Sequence, residues 1–332
     1  MPKITIIIAL NNTENIANLC LESLTLQSFS DYECLCVKQN QEEEYSFLTT
    51  LIKKDSRFKL IKTQNGTPTK YDCYNDALYH VKGKYVLFLN DTDLLHIQAL
   101  DIFVDALRYT HSKIATSNPF YFSTSKIVKK QKQPILFDKS VLKKKSQNLL
   151  SDFWQENPFQ IDGKLEGKAF DAETISFLKF HTNLKEFAPY FFMEQFYSLI
   201  KDNVYIKYPL YLCRKEAHIP SISSFETLNN LKERIVFEYA YFIESGRVNG
   251  YNAIVLKRKC SQDFFNALKH VVLHTPESTM ICINQQLINL ILDVKQYDML
   301  QGLSLSLFQK LIILALVKNK LSLAKRVLKF LF

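Results

Sequence analysis

Two carboxylates directly follow a hydrophobic run in the segment FLNDTDLL, residues 88–95. Asp91 and Asp93 stand two positions apart, and the preceding run has the composition of a buried β-strand. Two acids in such a place can hold a divalent cation against a phosphate, because Mg²⁺ and Mn²⁺ prefer oxygen ligands. The same acids can also cap the helix that the sequence predicts to begin near His96. The residues alone leave both interpretations open.

The elements that must position these acids alternate regularly over the first 118 residues. The predicted strands are residues 3–10, 32–37, 57–62, 84–89 and 113–117, and the predicted helices follow residue 13 and cover about 42–54, 69–81 and 96–109. Strands alternating with helices of this length predict an α/β fold, in which a mostly parallel sheet has helices on both faces. Ligands of such sheets bind beyond the carboxyl ends of the strands, where ALNN, VKQN and LNDTD lie.

Length and composition narrow the class of protein. The 332 residues are 47% hydrophobic and include 7 Gly and 9 Pro, which excludes a largely disordered chain. No run of about 20 apolar residues is present, and the apolar N-terminus is interpreted as a first strand and not as a signal peptide. The seven cysteines form no C-x-x-C pair, so we expect neither a disulfide framework nor a zinc site. We expect a cytoplasmic protein, with a peripheral position on the inner face of the cytoplasmic membrane as an open alternative.

The net charge of +9 is unevenly distributed. Residues 1–118 carry 12 Lys and Arg against 14 Asp and Glu, whereas the remaining residues carry 30 against 19. The Lys-rich segment 126–147 is either a solvated loop or a basic segment near a phosphorylated substrate or an anionic membrane surface. The last 32 residues predict a basic amphipathic helix at a membrane interface or a core helix with a basic outer face. The lysines are not combined with aromatics into a recognised module, so no specific nucleic-acid partner is expected.

Three motifs, in order and spacing, carry a resemblance to a known family. LESLTLQSFSDYE (21–33), KKDSRFKLI (53–61) and KGKYVLFLN (82–90) together resemble the family 2 glycosyltransferases of the GT-A fold. The resemblance is strongest to bacterial enzymes that build lipopolysaccharide, lipooligosaccharide or capsule. It covers residues 2–120 and resumes over residues 188–223.

The resemblance implies a division of the chain into three parts. Residues 1–120 would be the nucleotide-sugar-binding half of a GT-A domain, and residues 121–224 the acceptor-side half with the basic segment. Residues 225–332 would be a helical region that binds a membrane or a partner.

The resemblance also implies a reaction. A nucleotide-sugar donor would lie across the strand ends, near Ala9, with a divalent cation (Mn²⁺ or Mg²⁺) neutralising its diphosphate. A carboxylate on a later helix would deprotonate a hydroxyl of a glycan or glycolipid acceptor, which attacks the anomeric carbon and inverts it.

The nucleotide-binding motifs of the family are altered in this chain. The family shows VDDGSTD after the second strand, whereas this chain has VKQNQEE, with Lys38 and Gln39 in place of both acids. Gln39 is therefore the implied contact to the nucleobase, through its amide. The family motif ARNxG reads YNDAL here, which keeps Asn75 as an implied donor contact but has Tyr74 in place of Arg and Ala77 in place of Gly.

The D-x-D motif of the family is displaced. Alignment with FLDSDDWL puts Asn90 and Thr92 at the first and third positions, while a literal D-T-D lies one residue later, at Asp91 and Asp93. A one-residue slip would aim the side chains differently along extended backbone, although a turn could restore their direction. The implied donor contacts are Asn90 and Asp91, and the implied metal ligands are Asp91 and Asp93.

The catalytic base is ambiguous in the sequence. The family has ED at a helix start where this chain has MEQFY, so either Glu194 is the base, or Glu194 matches the Glu and Gln195 has replaced the base. We expect Glu194 to be the base. The later segment YLCRKEAHIPSIS resembles a motif that closes over the diphosphate, which names Arg214 and His218 as donor contacts. A catalytically inactive GT-A domain that serves as a scaffold in glycan assembly is the alternative to an active enzyme.

Overall fold

The computed structural model describes residues 1–11, 14–40, 44–63, 68–123, 142–146, 148–155, 161–215, 225–274 and 285–291, with single residues and pairs between 312 and 326. His218 and most of the two basic segments, 126–147 and 301–332, lie outside the described residues. The chain forms two compact units, one of Met1–Asn183 with Ala188–Ile219 and the other of Leu184–Phe187 with Pro220–Phe332. The division at residues 120 and 224 stays a prediction.

The first four strands of the first unit form a parallel sheet in the order β3-β2-β1-β4. The strands and the helices that connect and follow them are β1 (Ile4–Leu10), α1 (Glu14–Thr25), β2 (Tyr32–Lys38), α2 (Ser46–Lys54), β3 (Phe58–Ile61), α3 (Lys70–Leu78), β4 (Tyr85–Asn90) and α4 (Ala99–Thr110). All seven residues of β1 are buried, as expected for a central parallel strand. Each strand and helix predicted for this part of the sequence is present.

The rest of the sheet is mixed. It is formed by β5 (Leu94–Leu95), β6 (Ile114–Phe122), β7 (Leu142–Ser146), β8 (Lys168–Asp171) and β9 (Asp202–Arg214). Strand β8 pairs antiparallel with both β4 and β6, and β9 pairs parallel with β6 but antiparallel with β5 and β7. The predicted α/β fold is confirmed, and the parallel arrangement ends at β4 because the next strand beside it, β8, runs in the opposite direction.

The two faces of the parallel strands pack differently. Alternate residues Ile4, Ile6 and Ile8 of β1 lie in one aliphatic core with Ala17 and Leu21 of α1. The other face carries an aromatic cluster that joins β4 and α3 to later elements. In this cluster Phe88 lies 4.9 Å from Tyr74 and 5.4 Å from Phe180, and Phe180 stacks on Phe192 at 4.2 Å between ring centroids.

Three helices of the first unit follow the basic segment or flank β8. They are α5 (Leu149–Trp154), α6 (Ala172–Ile175) and α7 (Ala188–Leu199). Helix α7 turns an almost continuous face into the core, and Phe192, Glu194 and Phe196 on it are all fully buried. It therefore holds the residues predicted to act as the base in a solvent-excluded position.

The second unit is helical among its described residues. Its main elements are α8 (Phe225–Glu238), a wider turn of helix over Tyr239–Glu244, and α9 (Gly250–His274). Arg234 on α8 forms ion pairs with Glu238 at 2.9 Å and with Asp263 of α9 at 2.7 Å. The first pair lies within α8, and the second joins α8 to α9. Among the described residues, no helix combines the length and the apolar character needed to cross a membrane.

Candidate functional site

The carboxyl ends of the parallel strands bring several of the predicted donor-binding residues to one edge. In the sheet register, Ala9 of β1 lies between Val37 of β2 and Asn90 of β4. Gln39 follows β2 directly, and its backbone N–H donates to the carbonyl oxygen of Leu10 at 2.9 Å. Ala9, Gln39, Asn90 and Asp91 are thus neighbours at the sheet edge where ligands of parallel sheets bind.

Asp93 is a fully buried carboxylate, with 0% of its surface exposed. Its Oδ2 accepts hydrogen bonds from Asn90 Nδ2 at 2.8 Å and from the Tyr211 hydroxyl at 3.0 Å. Its Oδ1 accepts from the backbone N–H of Arg214 at 2.9 Å and from the Thr92 hydroxyl at 3.3 Å. Both oxygens are therefore occupied by donors of the protein, and the carboxylate joins the end of β4 to β9.

Asp91 points to the loop after β1. Its Oδ2 accepts the backbone N–H of Asn11 at 2.7 Å, and 4% of the residue is exposed. The two acids of the displaced D-T-D therefore point to different segments: Asp91 contacts the loop after β1, and Asp93 contacts β9. Neither acid caps α4, whose N-cap residue is Gln98.

Asn90 lies at the centre of the site. Its Oδ1 accepts a hydrogen bond from the Lys70 ammonium, and its Nδ2 donates both to Asp93 and to Glu166 Oε1, the latter at 3.0 Å. Its backbone N–H donates to the Tyr211 hydroxyl at 3.0 Å. The amide thus has its oxygen toward a cation and its nitrogen toward two carboxylates, an arrangement that an aspartate could not make.

Glu166 and Lys70 are site residues that the sequence analysis missed. Glu166 is half-buried and comes from the segment before β8, 76 residues beyond Asn90. The next residue, Gly167, has a φ of +71°, and a Cβ atom there would lie 2.5 Å from the carbonyl oxygen of Ser117. Only glycine fits this turn, so it fixes the direction in which Glu166 enters the site. An isolated glycine ahead of a strand-like run was the one available signal.

Arg214 reaches the same edge from the end of β9. Besides its backbone contact to Asp93, its Nε donates to the carbonyl oxygen of Thr92 at 3.1 Å, and the guanidinium lies 5.1 Å from the centre of the Phe122 ring. Its Nη2 is buried and has no hydrogen-bond partner among the described residues. A fork with one nitrogen anchored and another unused is suited to phosphate oxygens.

Asn75 has both ends of its amide engaged by the backbone. Its Nδ2 donates to the carbonyl oxygen of Phe180 at 2.8 Å, and its Oδ1 accepts the N–H of Phe180 at 2.9 Å. These two bonds hold Phe180 in the aromatic cluster. The predicted role of Asn75 in donor binding stays a prediction, and the contact present is a structural one.

Glu194 lies on the second turn of α7, with 0% of its surface exposed. Its Oε1 accepts the indole N–H of Trp154 at 2.6 Å. Gln195 beside it is also buried, and its Oε1 has no hydrogen-bond partner among the described residues. Glu194 is therefore a buried partner of Trp154, and whether Glu194 or Gln195 stands at the position of the base stays a prediction.

The electrostatics of the site keep its phenol and thiol protonated. Burial, together with the charges of Asp93 and Glu166, raises the pKa of Tyr211 well above its ordinary range. Burial and the charges of Asp91 and Asp93 likewise raise the pKa of Cys20, whose Sγ donates to the Asn90 carbonyl oxygen at 3.4 Å. Tyr211 can therefore act as a permanent donor to Asp93.

The predicted divalent cation would need oxygen ligands from Asp91 and Asp93. GT-A glycosyltransferases commonly use such a metal. Both oxygens of Asp93 are already occupied by protein donors, and Asp91 is directed to the Asn11 N–H. No group of three or more His, Cys, Asp or Glu side chains with metal-binding geometry occurs in the part of the chain that the structure describes. In this arrangement, Asp91 and Asp93 do not fit a shared divalent cation.

The fold and part of the sequence are similar to those of known proteins. The structure of S. aureus TarS residues 1–349 superposes with a TM-score of 0.71 and 13% identity, covering 98% of this chain and 90% of that one. The fold is therefore of the GT-A glycosyltransferase type. Residues 5–165 match the model of glycosyl transferase family 2.

Curated relatives are similar over a shorter part of the chain. A glycosyltransferase of Rickettsia felis, itself uncharacterized, is 28% identical over 121 residues, which are 36% of this chain and 18% of that protein. The GalNAc(5)-diNAcBac-PP-undecaprenol beta-1,3-glucosyltransferase of Campylobacter jejuni is 30% identical over 101 residues, which are 30% of this chain and 33% of that protein. The matched segments thus cover less than two thirds of these relatives.

Proposed function

We propose that this protein is a glycosyltransferase that moves a sugar from a nucleotide-sugar to a hydroxyl group of a surface glycan or glycolipid. The observation that carries the proposal is that the family 2 match spans all four parallel strands. It includes the carboxyl end of β4, where Asn90, Asp91 and Asp93 lie. Two of the relatives support the substrate classes. TarS residues 1–349 have been solved with UDP, and the name of the Campylobacter jejuni protein describes transfer to a polyprenyl-diphosphate-linked glycan.

The proposed reaction is a single displacement. The acceptor oxygen forms a bond to the anomeric carbon while the bond from that carbon to the diphosphate oxygen breaks. The nucleoside diphosphate leaves with the bonding electron pair, the anomeric carbon inverts, and the acceptor proton passes to a general base. The protein must therefore supply a base and positive charge for the departing diphosphate.

Arg214 and Gln39 have the properties required for binding the donor. The Nη2 of Arg214, which is buried without a hydrogen-bond partner among the described residues, is the proposed contact to a phosphate oxygen at the edge where Asp93 and Thr92 hold this residue. The amide of Gln39, which lies 3.5 Å from the carbonyl oxygen of Pro68, could instead bind a nucleobase edge. Ala9 lines the strand ends beneath such a ligand, and His218 stays a predicted contact.

Glu166 is the better placed of two candidate bases. A general base must come within hydrogen-bonding reach of the acceptor hydroxyl. Glu194, predicted from the resemblance, is fully buried and holds Trp154. Glu166 is half-buried, carries a carboxylate and touches Asn90 at the strand ends. We therefore propose Glu166 as the base, with Glu194 as the alternative.

The divalent cation remains a prediction of the family resemblance. If Mn²⁺ or Mg²⁺ binds, Asp91, which directly follows β4, is its proposed ligand, and the ion would supply positive charge to the leaving diphosphate. The contacts of Asp93 oppose its use as a ligand, so no step of the proposed reaction passes through a metal.

A membrane-proximal location is proposed from the charges of the chain. A polyprenyl-linked or lipopolysaccharide acceptor would lie at the inner face of the cytoplasmic membrane, where anionic lipids attract basic segments. The part of the chain after residue 118 carries an excess of 11 positive charges, from 30 Lys and Arg against 19 Asp and Glu. This excess is suited to such a surface or to a phosphorylated acceptor.

An inactive GT-A domain with a scaffold role is the second candidate. The sequence feature that favours it is Gln195: if this residue, rather than Glu194, matches the catalytic acid of the family, the chain has no base there, because glutamine cannot accept the proton. This candidate predicts a folded protein that binds no nucleotide-sugar and releases no nucleoside diphosphate.

Ligand-induced stabilisation tests the proposal. The melting temperature of the full chain would be measured with UDP, GDP and CMP, each with Mn²⁺ and each with EDTA, because a ligand that binds the folded state raises this temperature by mass action. We expect one nucleotide to raise it, and the matching nucleotide-sugars to release nucleoside diphosphate slowly in the presence of acceptor or water. Well-folded protein that responds to none of the three nucleotides in either condition would favour the scaffold.

A further inference from the structure

We infer that the Lys70 ammonium, held by Asn90, neutralises the donor diphosphate in place of a divalent cation. The inference rests on the proposed function and deepens it, because it names how the same site binds a diphosphate. It makes donor binding independent of added metal.

The position of Lys70 is fixed from two sides. Lys70 is the first residue of α3 and donates to Asn90 Oδ1 at the end of β4. Its ammonium also lies 5.5 Å from the centre of the Tyr74 ring, whose face attracts a cation. The side chain is half-buried, so the cation is held at the sheet edge rather than extended freely into water.

The amide at position 90 makes this cation compatible with the acids around it. Nδ2 of Asn90 donates to Asp93 and to Glu166, and its Oδ1 accepts from Lys70. An aspartate at this position would place a third carboxylate against those two, which like-charge repulsion disfavours unless a cation binds among them. With Asn90 in place of an aspartate, no bound cation is needed to offset a third carboxylate, and the Lys70 ammonium contacts the amide oxygen instead.

A second cation flanks the same pair of residues. Arg214 binds Asp93 through its backbone N–H and Thr92 through Nε, while its Nη2 is buried without a hydrogen-bond partner among the described residues. Lys70 on the Asn90 side and Arg214 on the Asp93 side provide two fixed positive charges. Together they can neutralise two charges of a leaving diphosphate, as one divalent cation would.

The test measures nucleotide affinity with and without metal. Titration calorimetry would give the dissociation constant of UDP and GDP for the full-length protein in EDTA and in Mn²⁺. The same titrations would follow for Lys70→Met, which keeps the aliphatic chain over Tyr74 and removes only the charge. Lys84→Met is the matched control, because Lys84 also lies 5.5 Å from a tyrosine ring centre, that of Tyr85, but at the opposite end of β4.

The inference predicts equal affinity in EDTA and Mn²⁺, a loss of about tenfold or more for Lys70→Met, and no change for Lys84→Met. A loss of this size corresponds to one charge-assisted hydrogen bond. Binding that requires Mn²⁺, or unchanged affinity of Lys70→Met in EDTA, would overturn the inference and leave the proposed function standing. Absence of binding in both conditions by folded wild-type protein would overturn both. If Lys70→Met fails to fold, Lys70→Gln replaces it, and a requirement for Mn²⁺ in the wild type would overturn the inference without any variant.

Discussion

The Tyr211 hydroxyl donates to Asp93 Oδ2 at 3.0 Å and accepts the backbone N–H of Asn90 at the same distance. One phenol on β9 thus completes the hydrogen bonding of two residues at the end of β4. Its raised pKa, which is caused by burial and by the charges of Asp93 and Glu166, keeps it a donor. Asp93, predicted as a metal ligand, has the contacts of a structural anchor in a buried network.

Asp93→Asn is expected to lower the free energy of unfolding by about 1 to 3 kcal/mol without any metal or nucleotide present. The two carboxylate oxygens of Asp93 accept from all of these donors, whereas asparagine has one side-chain oxygen. Its NH₂ group would face one of the donors and could not accept from it. Urea denaturation in EDTA would measure the change. Tyr211→Phe removes the same contact from the other side, so the double variant should lose less than the sum of the single variants. Unchanged stability together with weaker Mn²⁺-dependent nucleotide binding would instead support Asp93 as a metal ligand.

Asn75→Ala is expected to destabilise the protein by about 1 to 3 kcal/mol, because it leaves the N–H and C=O groups of Phe180 without their partners. Phe180 would then be held only by ring contacts such as that with Phe192. Asn183→Ala, at an exposed asparagine of the same unit, serves as the control and should change little. Thermal unfolding without ligand would measure both. Loss of nucleotide affinity with unchanged stability would contradict this role and support the predicted donor contact.

The sequence predicts those features of the molecule that depend on residues close together in the chain. Hydrophobic periodicity located every strand and helix of the first 118 residues except the two-residue strand β5, and the strand ends brought Ala9, Gln39 and Asn90 to one edge. The role of Asp93 could not be predicted, because it depends on Tyr211 and Arg214, more than 100 residues away.

Glu166 and Lys70 were missed for a related reason. Glu166 contacts Asn90 across 76 residues and Lys70 contacts it across 20, and no local pattern distinguishes either from an ordinary surface charge. The family motif has an acid where this chain has Asn90, so it predicts carboxylate ligands. It does not predict a lysine that donates a hydrogen bond to the asparagine oxygen. Glu194 is fully buried, which no sequence pattern around MEQFY indicates, and its role as the base stays a prediction.

Gly167→Ala is expected to lower the melting temperature clearly, since the new Cβ would lie 2.5 Å from the Ser117 carbonyl oxygen. The backbone there has a φ of +71°, which alone costs a non-glycine residue about 1 kcal/mol. Gly246→Ala is the matched control, because Gly246 has a φ of +70° but no atom within 4 Å of a Cβ. The difference between the two variants in differential scanning calorimetry isolates the steric contact. Equal effects would show that Ser117 can move aside.

Glu33 makes stability depend on pH at the opposite end of the sheet. Burial opposes its ionisation, but hydrogen bonds from Lys59 at 2.6 Å, from Thr5 at 2.8 Å and from the Lys82 N–H at 2.9 Å lower its pKa below the ordinary value of 4.5. A carboxyl group whose pKa is lower in the folded than in the unfolded state stabilises the folded protein. The full contribution is present when the pH is above the unfolded-state pKa, and it is lost as the pH falls through the folded-state pKa.

Glu33→Gln should therefore cost about 1 to 3 kcal/mol at pH 7 and progressively less below pH 4.5. Urea denaturation at a series of pH values would measure the difference from wild type. Glu22→Gln, at an exposed position on α1, should show no such trend. A penalty that stays constant down to pH 3 would mean that shape, and not charge, makes Glu33 stabilising.

Glu166→Gln is expected to reduce sugar transfer by about 100-fold or more while keeping nucleotide affinity, provided that the proposed function holds. Glutamine keeps an oxygen that can accept from Asn90 Nδ2, so the site should remain assembled, but it cannot take the acceptor proton. Glu194→Gln keeps an acceptor for the Trp154 N–H and should change turnover only a few-fold. Nucleoside diphosphate release, measured together with the melting temperature, compares the two variants.

The opposite pattern would identify Glu194 as the base. Turnover that disappears in Glu194→Gln with an unchanged melting temperature, and persists in Glu166→Gln, would require α7 to open during the reaction so that a fully buried carboxylate meets the acceptor. If both variants keep turnover, neither carboxylate takes the proton, and displacement would depend on stabilisation of the leaving diphosphate by Lys70 and Arg214. The pair of variants thus separates base catalysis from charge stabilisation at the same strand ends.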